Sequence, residues 1–281
     1  MSNEHSYPIS DWDSAYQNAS HIADADSYIQ RWQEAGARYR QQLLAAGRAQ
    51  LDIRYDSRER NTLDLFLPEG AVKGLVVFVH GGYWMMLDKN SWSHLASGSL
   101  AAGYAVAIPS YSLCPAVKIA DIVQEIASAI TLAASKISGE IRLVGHSAGG
   151  HLVTSMLCDN SPLAAIVQQR IVKTVSISGV HDLRPLLNTQ LNETLQLDWQ
   201  QALNLSPVLR APKHLAPLTC WVGAEERPEF LRLNRLQADI WKSFGIATNA
   251  VEEPARHHFN VVDGLMEQQH PLMQSLLGSS E

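Results

Sequence analysis

One stretch of the chain decides its fold: Ile141-Arg142-Leu143-Val144-Gly145-His146-Ser147-Ala148-Gly149. The first four residues form a short, mostly apolar run that is typical of a buried strand, and residues 150–157 can continue as a helix. A G-x-S-x-G turn between a strand and a helix needs small neighbours, so that the serine hydroxyl projects over the sheet edge. This setting predicts a nucleophilic Ser147. The alternative is a plain glycine-rich turn.

Strands and helices alternate on both sides of this turn. Residues 74–80 are β-branched or aromatic almost throughout, which is typical of a strand covered on both faces in a parallel sheet. Further strands are predicted at 50–56, 61–67, 104–108, 173–178, 218–222 and 248–252, and helices at 120–137, 228–244 and 260–277. The pattern predicts an α/β fold: a mostly parallel central sheet, helices on both faces and an antiparallel hairpin at one edge.

The domain organisation predicted from the sequence is a single domain over residues 1–281, because no linker, repeat or charge block divides the chain. Residues 1–47 are expected to form an N-terminal helical segment, since apolar residues such as Trp32 and Leu43 recur at helical spacing. Residues 183–213 carry scattered leucines and few strand signals. They predict a small helical cap insertion over the active site, with an ordinary long connection as the alternative.

Composition and charge exclude several classes of protein. The net charge of −6 comes without any Lys/Arg run, so a nucleic-acid partner is not expected. No apolar run is long enough to span a bilayer, and the N-terminus lacks the features of a secretory signal. The three widely spaced cysteines are typical of core thiols in a reducing compartment. We therefore expect a cytoplasmic protein with no membrane partner, and the sequence leaves room for a homodimer.

Acid and base candidates follow the serine along the chain. A serine hydroxyl needs a base to remove its proton, and the base needs a carboxylate to fix its tautomer. Glu225 and Glu226 come directly after the strand at 218–222, and His257 and His258 follow the last predicted strand. The carboxyl ends of parallel strands meet at one edge of the sheet, where sites of such folds lie. Position therefore predicts one glutamate and one histidine beside the serine, without choosing within either pair.

A glycine-rich loop, His80-Gly81-Gly82-Tyr83-Trp84, follows the predicted strand at 74–80. Loops of this form turn backbone N–H groups toward an oxyanion, and the N–H after the nucleophile, that of Ala148, supplies the second part of such a hole. His80 precedes the glycines at a strand end, so we expect it to brace the loop. Asp182, after the strand at 173–178, is a further candidate acid.

Together these motifs resemble kynurenine formamidase (arylformamidase), a family in the esterase and lipase branch of the α/β-hydrolases. The resemblance covers most of the chain and rests on H-G-G-Y-W at 80–84, G-H-S-A-G-G-H at 145–151, E-R-P-E-F at 226–230 and H-F at 258–259. It implies the α/β-hydrolase fold. It also implies a triad whose members are Ser147, Glu226 and His258, where Glu226 stands in place of the aspartate of the animal enzymes.

The resemblance further implies oxyanion donors at the backbone N–H groups of Gly82, Tyr83 and Ala148. It implies hydrolysis of N-formylkynurenine to kynurenine and formate through an acyl-enzyme, with a small-molecule acyl substrate and no metal or cofactor. A general carboxylesterase for short-chain esters and a non-catalytic ligand-binding protein are the alternatives. Tyr83 and Trp84 are candidate substrate contacts. An aromatic-accepting pocket could also include Met86, Trp92 and Tyr111, although core packing explains each of these residues as well.

Overall fold

The computed structural model describes residues 9–278, and the centre of this part of the chain is an eight-stranded sheet. Its strands are β1 (Ala49–Arg54), β2 (Thr62–Phe66), β3 (Gly74–Val79), β4 (Ala105–Pro109), β5 (Glu140–His146), β6 (Ile171–Ile177), β7 (Leu218–Gly223) and β8 (Thr248–Glu253). Their order is β1-β2-β4-β3-β5-β6-β7-β8. Strand β2 pairs antiparallel with both β1 and β4, and every other pairing is parallel. The predicted α/β fold and its edge hairpin are confirmed.

Ten α-helices surround the sheet in the described part of the chain. They are α1 (Trp12–Tyr16), α2 (Ala25–Ala45), α3 (Ser97–Ala101), α4 (Ile119–Lys136), α5 (Ala148–Ser155), α6 (Ala165–Gln168), α7 (Leu191–Leu195), α8 (Trp199–Leu205), α9 (Pro228–Lys242) and α10 (Pro271–Leu277). Short 3-10 helices lie at Ala19–His21, Lys89–Ala96, Arg184–Asn188, Pro207–Leu209 and Val261–Met266. None of the helices within residues 9–278 is long and apolar enough to cross a membrane.

The sheet separates two apolar cores, and β3 shows why. Its side chains alternate between the faces: Leu75, Val77 and Val79 enter one core, and Val76 and Phe78 enter the other. Helices α4, α5 and α9 cover the first core, whereas α2, α3 and α10 cover the second. A strand buried on both faces gains from apolar residues at every position, which explains the nearly continuous apolar run in the sequence.

The predicted single helix at 260–277 is wrong. The chain instead forms the 3-10 helix Val261–Met266, then an interruption, and then α10 from Pro271. Proline has no backbone N–H to continue a helix, and it forces the residue before it toward extended backbone. His270 accordingly has φ −65° and ψ 139°.

The N-terminal segment predicted at 1–47 is also not one continuous helix over its described residues 9–47, and residues 1–8 lie outside the described part of the chain. Helices α1 and α2 are separated by residues 17–24, which end at Asp24 with a left-handed φ of 53°. Helix α2 lies unusually close to the 3-10 helix 89–96, because a Cβ at Gly36 would come within 2.2 Å of the Asn90 carbonyl oxygen. The residues at 183–213 form four short helical pieces. That they act as a cap, and that 1–281 is one domain, stay predictions.

A buried ion cluster fixes α2 to the sheet. Lys89 Nζ lies 2.9 Å from Asp64 and 2.6 Å from Asp52, and Arg40 of α2 lies 2.7 Å from Asp64. The Lys89 and Asp64 side chains are almost wholly buried. Buried charges are tolerated when they are paired in this way, and losing one partner is costly. The cluster therefore holds α2 in one position relative to β2.

Candidate active site

The turn at Ser147 has the geometry of a strained strand-to-helix elbow. Strand β5 ends at His146, α5 begins at Ala148, and Ser147 between them has φ 56° and ψ −116°. Non-glycine residues rarely adopt such backbone angles, and strain of this kind persists where the surroundings enforce it. A Cβ at Gly149 would lie 2.0 Å from the Val79 carbonyl oxygen, so α5 can approach β3 only through a glycine.

Glu226 and His258 form a direct, buried pair. His258 Nδ1 lies 2.6 Å from Glu226 Oε2, and both side chains are almost wholly buried. The other carboxylate oxygen, Oε1, accepts hydrogen bonds from Ser178 Oγ at 2.6 Å and from the Gly223 N–H at 2.9 Å. Three contacts therefore fix this carboxylate. With Nδ1 engaged, Nε2 is the nitrogen of His258 that is left for chemistry, and His258 lines the same cavity as Ser147.

The other acid and base candidates lie apart from this pair. Glu225 is exposed beside the buried Glu226. His257 Nε2 lies 3.1 Å from the Tyr28 hydroxyl, and Asp182 is paired with Arg184 at 2.7 Å. The geometry thus places only Glu226, of the three candidate acids, in contact with a candidate base.

His146 supports the site in a way that the sequence did not reveal. Its Nε2 lies 2.8 Å from the His258 carbonyl oxygen, and the two rings are 4.8 Å apart. Desolvation holds the pKa of His146 well below its usual value, so the ring is neutral. Because a carbonyl can only accept, the single ring proton must be on Nε2. The x position of G-x-S-x-G was the available signal, since this residue lies at a strand end beside the nucleophile.

The loop after β3 turns its backbone inward. Gly82, Tyr83 and Trp84 have φ values of 110°, 47° and 57°. Within residues 9–278, the N–H groups of Gly82 and Tyr83 have no hydrogen-bond acceptor, which leaves both free to donate. His80 is buried, its ring stacks on Tyr111 at 4.2 Å, and burial lowers its pKa to about 4. His80 is therefore a neutral, stacked ring beside the loop, and its role as a brace stays a prediction.

A cavity of about 220 Å³ adjoins Ser147 and His258. Much of its wall comes from the N-terminal segment, through Tyr16, Gln17, Asn18, Ala19, Ser20, Ile29 and Trp32. Residues 183–213 contribute Leu191 alone. The structure therefore gives the N-terminal segment the larger share in enclosing the site.

Two of the predicted pocket residues do not reach the cavity. Trp84, expected to contact substrate, is fully buried and packs edge-on against His151 at 5.1 Å. The consecutive left-handed residues at 83 and 84 turn this indole into the core, whereas the Tyr83 ring stays on the cavity wall. Tyr111 is occupied by its stacking on His80. Met86 and Trp92 do line the cavity.

The surface that the cavity wall exposes is almost entirely apolar, although uncharged polar residues such as Gln17, Asn18 and Ser20 line part of it. No Lys, Arg, Asp or Glu is found among its lining residues within the described part of the chain. The ionisable groups there are His146, His258 and the phenols of Tyr16 and Tyr83, and burial raises the pKa of both phenols above the ordinary value. Neutral rings and aliphatic chains make such a cavity suited to an uncharged aromatic or acyl group.

Comparisons with known proteins agree with this geometry. The BD-FAE family model matches residues 63–220. A kynurenine formamidase of Danio rerio is 28% identical over 81% of this chain and 80% of its own length. A protein of Silicibacter sp. TM1040 with a provisional thioesterase assignment is 44% identical, covers 95% of this chain and 98% of its own, and superposes with a TM-score of 0.90.

A more distant solved structure shows the fold alone. Esterase B of Lactobacillus rhamnosis is 17% identical and superposes with a TM-score of 0.65 over 90% of this chain and 93% of its own. The family match covers more than half of the chain, and the eight-stranded sheet is that of the α/β-hydrolases. The chain therefore belongs to the BD-FAE family and is a kynurenine-formamidase-like α/β-hydrolase.

Proposed function

We propose that this hydrolase is a serine hydrolase that removes a small acyl group through an acyl-enzyme on Ser147. The observation that carries the proposal is the Glu226–His258 pair, at 2.6 Å, because His258 lines the same cavity as Ser147 while Glu226 lies behind it. The carboxylate fixes the proton of His258 on Nδ1, so that Nε2 can act as a base. This arrangement disfavours a purely ligand-binding role.

The proposed reaction has two halves. His258 Nε2 takes the proton of the Ser147 hydroxyl while Oγ attacks the substrate carbonyl carbon. The backbone N–H groups of Gly82, Tyr83 and Ala148 hold the negative oxygen of the tetrahedral intermediate. His258 then gives its proton to the leaving nitrogen or oxygen, and the bond to that atom breaks. Water attacks the acyl-enzyme by the same route and restores Ser147.

The first candidate reaction is the hydrolysis of N-formylkynurenine to kynurenine and formate. Three relatives, from Danio rerio, Salmo salar and Drosophila melanogaster, are named kynurenine formamidases and are 26–28% identical to this chain. The aromatic wall suits an aryl leaving group, since Trp32 and Trp92 lie on it with ring centres 4.6 Å apart. Short-chain ester hydrolysis is the second candidate, favoured by a wall without a charged partner for an amino acid.

The test compares Ser147→Ala with the same substitution at Ser155, a buried serine at the end of α5. Ser155 of α5 is buried and donates to the His151 carbonyl, so Ser155→Ala removes a buried hydroxyl without touching the cavity. We expect Ser147→Ala to lose at least about 10³-fold in kcat on every substrate, and Ser155→Ala to stay near wild type. Hydrolysis by Ser147→Ala at the wild-type rate would refute the mechanism.

The substrate is tested by measuring kcat/KM for N-formylkynurenine and for short p-nitrophenyl esters with one preparation. An arylformamidase turns over the formyl amide at a rate comparable with that of the esters. If the formyl amide reacts thousands of times more slowly, the carboxylesterase is the correct candidate.

A further inference from the structure

We propose that Tyr83 is a positioning residue whose phenol, held by the Tyr16 carbonyl, keeps the oxyanion loop in its donating conformation. This inference rests on the proposed function, and it assigns a role to the tyrosine side chain that is separate from its backbone N–H. It also makes α1, at the start of the described chain, part of the catalytic arrangement.

The first observation is the conformation of Tyr83 itself. Its φ of 47° lies in the left-handed region, which a residue with a bulky side chain adopts only when its surroundings hold it there. The phenol donates a hydrogen bond of 2.5 Å to the Tyr16 carbonyl oxygen. Burial raises the pKa of this phenol, so it keeps its proton and remains a donor. This bond ties the tip of the side chain to α1 and thereby opposes relaxation of the backbone.

The second observation is that the acceptor is itself fixed. Tyr16 is fully buried, and its own hydroxyl donates to Glu229 Oε2 at 3.0 Å. Glu229 is buried at the start of α9 and is held by Arg232 at 2.9 Å. A second link joins the same elements, because Arg227 Nε donates to the Ser14 carbonyl at 3.1 Å. Helix α1 is therefore anchored to the residues directly after Glu226.

These contacts form one connected chain from the oxyanion loop to the segment that carries the acid. Tyr83 contacts Tyr16, Tyr16 contacts Glu229, and Glu229 lies three residues beyond Glu226. A glycine at position 83 would reach the same backbone angle freely, but it would have nothing to hold it there. The hydrogen bond of the Tyr83 phenol therefore restrains a backbone conformation that glycine would adopt without restraint. Loss of the phenol should misplace the N–H groups that stabilise the transition state.

The primary variant is Tyr83→Phe, which keeps the ring on the cavity wall and removes only the hydroxyl. We expect kcat to fall about 10- to 100-fold, less than the loss of an entire oxyanion donor, with KM within about threefold of wild type. Tyr55→Phe is the matched control. The Tyr55 hydroxyl donates to the Ser110 carbonyl at 2.6 Å, and neither residue lines the cavity, so this variant should keep kcat.

Tyr16→Phe tests the same link without altering the loop sequence. It keeps the carbonyl acceptor but loses the bond to Glu229, so we expect a smaller fall in kcat. In the double variant of Tyr83→Phe and Tyr16→Phe, the second change should have little further effect on kcat, because the bond between the Tyr83 phenol and the Tyr16 carbonyl is already lost. A trifluoromethyl ketone, which forms a tetrahedral adduct with the serine, should lose affinity in parallel with kcat/KM.

Each outcome separates this proposal from the proposed function. If Ser147→Ala is inactive and Tyr83→Phe keeps wild-type kcat, the anchoring role is wrong and the serine mechanism stands. If Tyr83→Phe and Tyr16→Phe act additively on kcat, or if Tyr55→Phe falls equally, the tyrosines only stabilise the fold. If Ser147→Ala remains active, the proposed function itself fails.

Discussion

Replacing Glu226 by glutamine exchanges one oxygen of the proposed triad for an NH2 group, and the surrounding contacts determine which way the amide turns. The carboxylate accepts from His258 through Oε2, and from Ser178 and Gly223 through Oε1. An amide NH2 at Oε1 would face the Gly223 N–H at 2.9 Å, and two donors cannot bond to each other. A buried donor left without a partner costs about 1–3 kcal/mol. The amide should therefore turn its NH2 toward His258.

That orientation puts His258 in the wrong tautomer. An NH2 donating to Nδ1 forces the ring proton onto Nε2, which then cannot accept the proton of Ser147. In the Ser-His-Asp template the equivalent change lowers kcat about 10⁴-fold, which corresponds to about 5.4 kcal/mol. We expect a loss of this order for Glu226→Gln, with little change in KM because the cavity wall is untouched.

The assay is steady-state hydrolysis of a p-nitrophenyl ester, with thermal unfolding measured in parallel. Glu225→Gln is the matched control, because this neighbouring carboxylate is exposed, whereas the pairing with His258 is made by Glu226. It should keep kcat within about twofold, as expected for a surface change away from the site. A folded Glu226→Gln variant that keeps a tenth of the wild-type kcat would refute the tautomer argument.

Three further predictions concern stability and specificity. Desolvation lowers the pKa of His80 and His151 to about 4 and that of His181 to about 3; an unfolded histidine titrates near about 6.5, so below that pH the unfolded chain binds more protons. The free energy of unfolding, measured by urea titration, should therefore fall by up to about 1.4 kcal/mol per pH unit for each histidine between about pH 6 and pH 4, and a flat profile would contradict their burial as neutral rings. Lys89→Met should lower the same free energy by about 3 kcal/mol, because it removes one partner of the buried Asp64, and an unchanged urea midpoint would argue against this. N-formylkynurenine and its decarboxylated analogue should have kcat/KM values within about threefold, since no described wall residue offers a cation to the carboxylate, and a hundredfold preference for the amino acid would disprove this.

Much of the fold could be predicted because its strands are buried on both faces. The stretch at 74–80 was predicted as a strand and the structure has Gly74–Val79, since apolar residues at every position are needed between two cores. The prediction of a single C-terminal helix over 260–277 is wrong for a local reason. Leu265 and Leu272 continue an apolar pattern across the break, and that periodicity outweighed the signal from Pro271.

The part of the candidate site that lies at strand ends could be predicted from the sequence. The part that depends on contacts between distant segments could not. Order along the chain placed an acid and a base at one edge of the sheet, but it left Glu225 and Glu226 equivalent. The structure separates them through a tight turn, in which the Glu226 N–H bonds the Gly223 carbonyl and the side chain folds back over the Gly223 N–H. The sequence could not show that α1 and α2 enclose the cavity, because that contact joins distant segments. Gly36 in the middle of α2 is a local signal of the close approach between α2 and the 3-10 helix 89–96.

The candidate reactive residues and much of the cavity wall come from different parts of the chain, and a few hydrogen bonds connect them. The candidate serine, acid and histidine lie directly after β5 or in the short loops after β7 and β8, at one edge of the sheet. The part of the wall at the end of α1 is held by the hydrogen bond of Tyr16 to Glu229 and by that of Arg227 to Ser14. Both anchors belong to the residues directly after Glu226, and Tyr16 in turn accepts the bond from Tyr83. A displacement of α1 would therefore alter the cavity and the oxyanion loop together. In the proposed mechanism, the hydrogen bonds that hold α1 therefore serve both the substrate cavity and the oxyanion donors.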